Sequence, residues 1–208
     1  MRFRGESRLD EDYTEMQIDA LREMGNIGAS HASAALTELV KREIYVDVSE
    51  CLICGSGALG EDMAHDGGRI VAVYFSATGK ETGSMIMYLP ADKAKVLSGL
   101  LLGREGTEPL DDDDLAAVAE VGNICASAYL NALSDMLEIT LLPSPPEVVV
   151  GPGSEIRSGT LLSRIPPGGK LILIKTRFTC DDQVFPGSIL YVPDPDSHRL
   201  MLRRFEVE

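Results

Sequence analysis

Residues 21–36 read LREMGNIGASHASAAL, and residues 118–133 read VAEVGNICASAYLNAL. At the offset of 97 that carries Leu21 onto Val118, Glu23, Gly25, Asn26, Ile27, Ala29, Ser30, Ala35 and Leu36 fall on Glu120, Gly122, Asn123, Ile124, Ala126, Ser127, Ala132 and Leu133. The match reads as an internal duplication. At about 100° per residue, Leu21, Met24, Gly28, Ala32, Ala35 and Leu39 gather on one side of the first copy, while Asp19, Glu23, Asn26, Ser30, Ser33 and Thr37 gather opposite. The first set is the expected core stripe and the second the wet face. Instead of long Lys and Glu side chains, that wet face carries Ser, Ala and Thr around one Glu and one Asn, so it is flat enough to dock a partner. Gly25 and Gly28 lie towards the core side, where each costs about 0.5–1 kcal/mol relative to Ala; close approach of the helix to a neighbour is the expected compensation.

Composition narrows the possibilities. An apolar fraction of 44% over 208 residues is that of a globular protein, and no run reaches the ~18 apolar residues of a membrane span. The first residues, MRFRGESRLDEDY, lack the apolar centre of a secretory signal, so the expectation is a soluble, cytoplasmic protein. A net charge of −14 repels phosphate backbones and anionic lipid. Neither nucleic acid nor a membrane is an expected partner; the acidity itself reads equally as adaptation to a salty cytoplasm.

Several local patterns suggest other chemistries. Cys51 and Cys54 form a lone Cys-x-x-Cys in an apolar, strand-like run, without the second pair that four-ligand zinc requires; with Cys125 and Cys180 they read as buried free thiols. Residues 55–60, GSGALG, match a dinucleotide fingerprint, but the turn-rich EDMAHDGG follows where a helix is needed. A structural loop is expected there. Gly28-Ala29-Ser30-His31-Ala32 imitates a nucleophile elbow, yet it sits in mid-helix. His31, His65 and His198 have no metal-ligand spacing, so no metal site is expected.

Along the chain, residues 1–12 read as a polar tail and residues 13–208 as one domain, with repeats at about 13–103 and 110–205. A helix is predicted over 14–41, a strand over 44–54 with Tyr45, Asp47 and Ser49 outward, and a hairpin from strands 69–75 and 84–89 turning at Thr78-Gly79-Lys80. Pro90 is expected to open a helix that stops at Gly103, and residues 104–110 to link the halves. Asp111–Asp114 should cap the second motif helix, which ends before Pro143. Extended chain follows at 148–150, then strands at 171–178 and 188–192 and a last strand at 200–205. The second half is expected to lack the helix that Pro90 opens in the first. The predicted fold class is therefore α/β, a single duplicated domain with pseudo-twofold symmetry, whose largely antiparallel sheet is covered by the two long motif helices.

The repeated residues resemble the motif of the CheC phosphatases of chemotaxis: Asp or Ser, three residues, Glu, two residues, Asn, and often Pro 23 residues later. Asp19, Glu23 and Asn26 match in the first copy, and Glu120, Asn123 and Pro146 in the second. Ala116 replaces the Asp or Ser of the second copy, and Ser49 stands at the Pro position of the first. An Asn amide is no general base, but it can hold a water in line with phosphorus, and a nearby Glu can anchor a partner's cation. The pair suits an acyl phosphate better than an inert bond. The resemblance implies hydrolysis of the aspartyl phosphate of a CheY-type receiver. In it Glu23 and Glu120 engage the receiver's lysine, Asn26 and Asn123 orient the attacking water, and Mg2+ comes with the receiver. Asp19, Ser30 and Ser127 would line the docking face, and Ala116 makes the first site the stronger expectation. Two other readings stay open: an adaptor for the receptor deamidase CheD, and a flagellar motor switch component, against which the chain's end at Glu208 leaves no room for the further domain such proteins carry.

Overall fold

Helix α1 (Glu15–Val40) begins where Thr14 can accept from the backbone N–H of Gln17 while the Gln17 side chain accepts from the backbone of Thr14. This reciprocal cap satisfies two of the donors that every helix start leaves open. The computed structural model describes residues 13–55, 68–79, 83–105, 109–161, 165 and 169–204. The predicted tail at 1–12 and the glycine-rich loop beyond Gly55 lie outside them. After α1 come strands β1 (Ile44–Gly55), β2 (Arg69–Gly79) and β3 (Gly83–Pro90), then helices α2 (Ala91–Leu102) and α3 (Asp112–Leu137). Short strands β4 (Leu141–Pro143) and β5 (Glu147–Pro152) follow, then a helical turn α4 (Gly153–Ile156) that runs into a π turn over Arg157–Leu161. Strands β6 (Lys170–Cys180) and β7 (Gln183–Pro193) and helix α5 (Pro195–Arg204) complete the described chain.

The offset of 97 reaches beyond the motif. Both α1 and α3 have 26 residues; Thr14 and Asp111 cap their starts, and Lys41 and Glu138 end them in the left-handed conformation. Past the helix, Thr37 Oγ1 accepts from Ile44 N–H at 2.9 Å, and Ser134 Oγ accepts from Leu141 N–H at 3.0 Å. Each hydroxyl ties the helix end to the first residue of the next strand. This corrects the outward placement of Ser33 and Thr37: Ser33 Oγ also accepts from Val46 N–H, so both face β1. Ala35 and Leu39, expected in the core, are exposed, and Leu36 takes the buried position.

The sheet is antiparallel throughout, in the order β1-β6-β7-β3-β2-β4, with β5 beside β4 on the same edge of β2. The strand after each long helix thus pairs with the hairpin of the other half of the chain. One face of the sheet and the long helices enclose Leu21, Met24, Val73, Met87, Tyr129 and Ile174. The opposite face packs Tyr74, Ile86, Leu173 and Leu190 against Ile156 of α4. Cys51 belongs to the first core, whereas Cys54 packs with the second, because residues three apart on a strand face opposite ways. The Cys-x-x-Cys spacing therefore brings no thiols together. All four cysteines are free, and burial pushes the thiols of Cys51 and Cys125 up to about 11 and about 12.

Two sequence expectations fail at the C-terminus for one reason. Residues 200–204, predicted as strand, belong to α5, and this helix follows β7 as α2 follows β3. The second half therefore does have the helix that the sequence reading denied it. Its start signal was present: Asp194 Oδ1 accepts from Ser197 N–H at 2.8 Å, and Pro195 fills the first helical position, where no N–H is needed. Pro90, expected at the first helical position, is instead the cap, and Ala91 is the first helical residue.

Between α2 and α3 the expected linker is held by charge. Asp114 is fully buried and accepts from Ser98 Oγ at 2.8 Å, Arg104 Nη2 at 3.1 Å and Asp111 N–H at 3.1 Å. Asp114→Ala is expected to cost about 1–3 kcal/mol in urea unfolding, since it removes the buried acceptor shared by Ser98 and Arg104 and leaves one capping N–H without its partner; the Ser98 hydroxyl keeps its bond to the Lys95 carbonyl. The exposed Asp111 carboxyl is held below its ordinary 3.8, first by the Asp114 backbone N–H and then by Arg104. Its contribution is complete above that value and is lost as pH falls through the lower folded pKa. Asp111→Asn should therefore weaken the loss of stability on acidification.

Candidate functional site

On α1, Asp19, Glu23, Asn26 and Ser30 are all exposed. On α3, Glu120 is exposed, and Asn123 and Ser127 are half-buried. A Glu and an Asn three residues apart are neighbours on a helix surface, so each helix presents one such pair. Among the described residues, no hydrogen bond or ion pair engages the side chains of Glu23, Asn26, Glu120 or Asn123. Both pairs are open to a partner. His31 is exposed on α1, and His198 is hydrogen-bonded to the Tyr13 hydroxyl. Among the described residues no group of His, Cys, Asp and Glu is placed to hold a metal ion.

What holds these helix faces outward is the packing beneath them. A Cβ at Gly28 would sit 2.7 Å from Tyr129 Cδ1 and 3.1 Å from Tyr129 Cα, so α1 meets α3 through the space a side chain would fill. This bears out the close approach expected at Gly28. At Gly25 the same construction meets Val48 at 3.6 Å and Ile174 at 3.8 Å, which is ordinary contact. Its counterpart Gly122 is tighter, at 3.0 Å from Val73.

The position 23 residues after each Asn also has a structural role. In the β1–β6 ladder Val48 pairs with Thr176 and Glu50 with Lys175, which leaves Ser49 as an extra, bulged residue. On the other edge Pro143 pairs with Ala77 and Glu147 with Tyr74. Three residues ending in Pro146 thus stand opposite two. Pro has no N–H to give a ladder and is tolerated at bulges, which is why Ser49 and Pro146 can occupy equivalent places. Val48, beside the bulge, is the residue that packs under Gly25, next to Asn26.

Arg22 escaped the sequence reading. It donates to Asp19 Oδ1 at 2.9 Å, with both side chains more than half exposed. A cation placed between Asp19 and Asn26 was the available signal.

Residues 114–150, which include the second Glu-Asn pair and Pro146, match the model of the CheC-like family. The chain is 30% identical over 189 residues to CheY-P phosphatase CheC of Bacillus subtilis (strain 168), a match spanning 88% of this chain and 90% of that protein. The chain belongs to the CheC-like family. Flagellar motor switch phosphatase FliY of the same organism is 24% identical over 66% of this chain, but the match spans only 36% of FliY. In three dimensions the fold matches the crystal structure of Thermotoga maritima FliY with a TM-score of 0.73 at 23% identity, covering 93% of this chain and 98% of that one. The mixed α/β architecture with its antiparallel sheet is thus similar to that of the FliY structure.

Proposed function

We propose that this protein is a phosphatase that hydrolyses the aspartyl phosphate of a CheY-type receiver, with one site on each long helix. What carries the reading is the two unengaged Glu-Asn pairs, exposed on α1 and partly exposed on α3, in a chain 30% identical to a CheY-P phosphatase. Agreement of caps, helix lengths and strand-tying hydroxyls at the offset of 97 supports a duplicated domain, from about residue 13, with a pseudo-twofold axis between β3 and β7.

In this reaction the oxygen of a water attacks phosphorus, the bond from phosphorus to the aspartyl oxygen breaks, and inorganic phosphate and a free carboxylate result. The acyl phosphate already has a good leaving group, so positioning is the main need. Asn26 or Asn123 accepts a hydrogen bond from the water through its amide oxygen and holds it in line. Glu23 or Glu120 takes a lysine of the receiver in a charge-assisted contact. Ser30 and Ser127 extend the docking face. Mg2+ arrives with the receiver; the phosphatase contributes no metal of its own and works in the cytoplasm.

The primary test is the decay of a phosphorylated receiver with and without the protein. Unchanged decay, together with capture of the deamidase CheD, would replace the phosphatase reading with the adaptor one. Glu23→Ala with Glu120→Ala is expected to raise KM with little change in kcat, because the contact is made in ground and transition states alike. Phosphate release across receiver concentrations reads the split, and a fall in kcat at constant KM would remove Glu from the docking role.

A further inference from the structure

We infer that Asp19 is a charge mask: it neutralises Arg22 and so keeps Glu23 able to receive a cation of the receiver. The inference rests on the phosphatase reading of the Glu23–Asn26 site. Asp19 stands three residues before Arg22 and four before Glu23, and Arg22 stands four before Asn26, so the four side chains form one surface patch. Helix side chains lean towards the N-terminus. The 2.9 Å bond to Asp19 therefore draws the Arg22 guanidinium back one turn, away from Asn26.

The second site supplies the comparison. At the offset of 97, Asp19 and Arg22 fall on Ala116 and Ala119: acid and base are both absent, while Glu120 and Asn123 remain. Counting the Asp19, Arg22 and Glu23 positions, the first patch carries a formal charge of −1, and so does the second. The two helices thus reach the same charge by different routes, one with an ion pair beside the Glu and one with alanines. A lone Arg22 would bring the first patch to zero and set a cation beside the group that must bind one.

Side chains of this spacing in water interact strongly enough to change binding about threefold per unit charge. The test uses Glu120→Ala/Asn123→Ala protein, so that only the first site works, at low ionic strength and with a phosphorylated CheY-type receiver. Asp19→Ala is expected to raise KM about threefold with kcat unchanged. Adding Arg22→Ala should return KM to its starting value, and Arg22→Ala alone should lower it. At about 0.5 M salt these differences should collapse, as they would not if Asp19 merely supported the helix. An unchanged KM in Asp19→Ala overturns the inference, as does a raised KM that Arg22→Ala fails to restore, or a fall in kcat alone. Asn26→Ala in the same background distinguishes the two levels: if release continues at its full rate, the phosphatase reading of this site fails instead.

Discussion

Asn26→Ala combined with Asn123→Ala is expected to lower kcat for receiver dephosphorylation by about 10- to 1000-fold, the scale of losing one positioning contact at the transition state. The amide holds water, not the receiver, so binding to a receiver carrying a stable phosphoryl mimic should survive. Asn26 is exposed, Asn123 is half-buried, and neither side chain engages a described residue, so each loss should change stability by about 0.5 kcal/mol or less. A fall in phosphate release without a fall in melting temperature is therefore the expected signature. Each single variant should keep activity through the other site, Asn123→Ala keeping more if Ala116 marks the weaker one. A double variant that releases phosphate at the unmutated rate would end the catalytic assignment.

Gly28→Ala and Gly25→Ala are expected to move stability in opposite directions, although they make the same change three residues apart on one helix. Ala gains about 1 kcal/mol over Gly in a helix interior. At Gly25 the new methyl meets Val48 and Ile174 at 3.6 Å and 3.8 Å, so that gain should be kept. At Gly28 it would lie 2.7 Å from the ring of Tyr129 and 3.1 Å from its Cα, and backbone cannot step aside as a flexible side chain can. Overpacking of this kind costs about 1–3 kcal/mol, enough to reverse the sign. Urea unfolding of the two variants measures the difference directly. Adding Tyr129→Ala to Gly28→Ala should give a coupling well outside additivity, because the two sites share one contact. Equal stabilisation by both substitutions would mean that α1 and α3 meet elsewhere.

The phosphatase reading gives these two experiments a common basis. Gly28 fixes how α1 lies on α3, and that packing presents the Glu23–Asn26 face to solvent. A destabilised Gly28 variant that still folds should therefore lose receiver affinity more readily than Gly25→Ala. The reason is geometric, since the Glu and Asn have no described side-chain partner of their own to fix them.

By itself the sequence determined the two long helices and α2, most strands and the residues of the candidate site. Caps are local: Thr14 with Gln17 and Asp111 with Asp114 lie three residues apart, so helix starts need no distant partner. The repeated Glu-x-x-Asn was legible because two copies in one chain mark the same surface positions. Only tertiary structure decided which faces were buried near the helix ends, where Ser33 and Thr37 bond to β1 and Leu39 turns outward. Strand order was likewise beyond a linear reading, since β1 pairs with β6 and β5 with β2, across the whole intervening chain. The last helix was misread because the apolar residues at 200–202 suit either periodicity over so short a run, although its Asp194–Ser197 cap is as local as the other two. The Asp19–Arg22 pair had all its residues in plain view, but a sequence gives spacing and charge, not which of several neighbours a flexible guanidinium chooses. That choice is made by the direction in which helix side chains lean and by the position of the carboxylate one turn back.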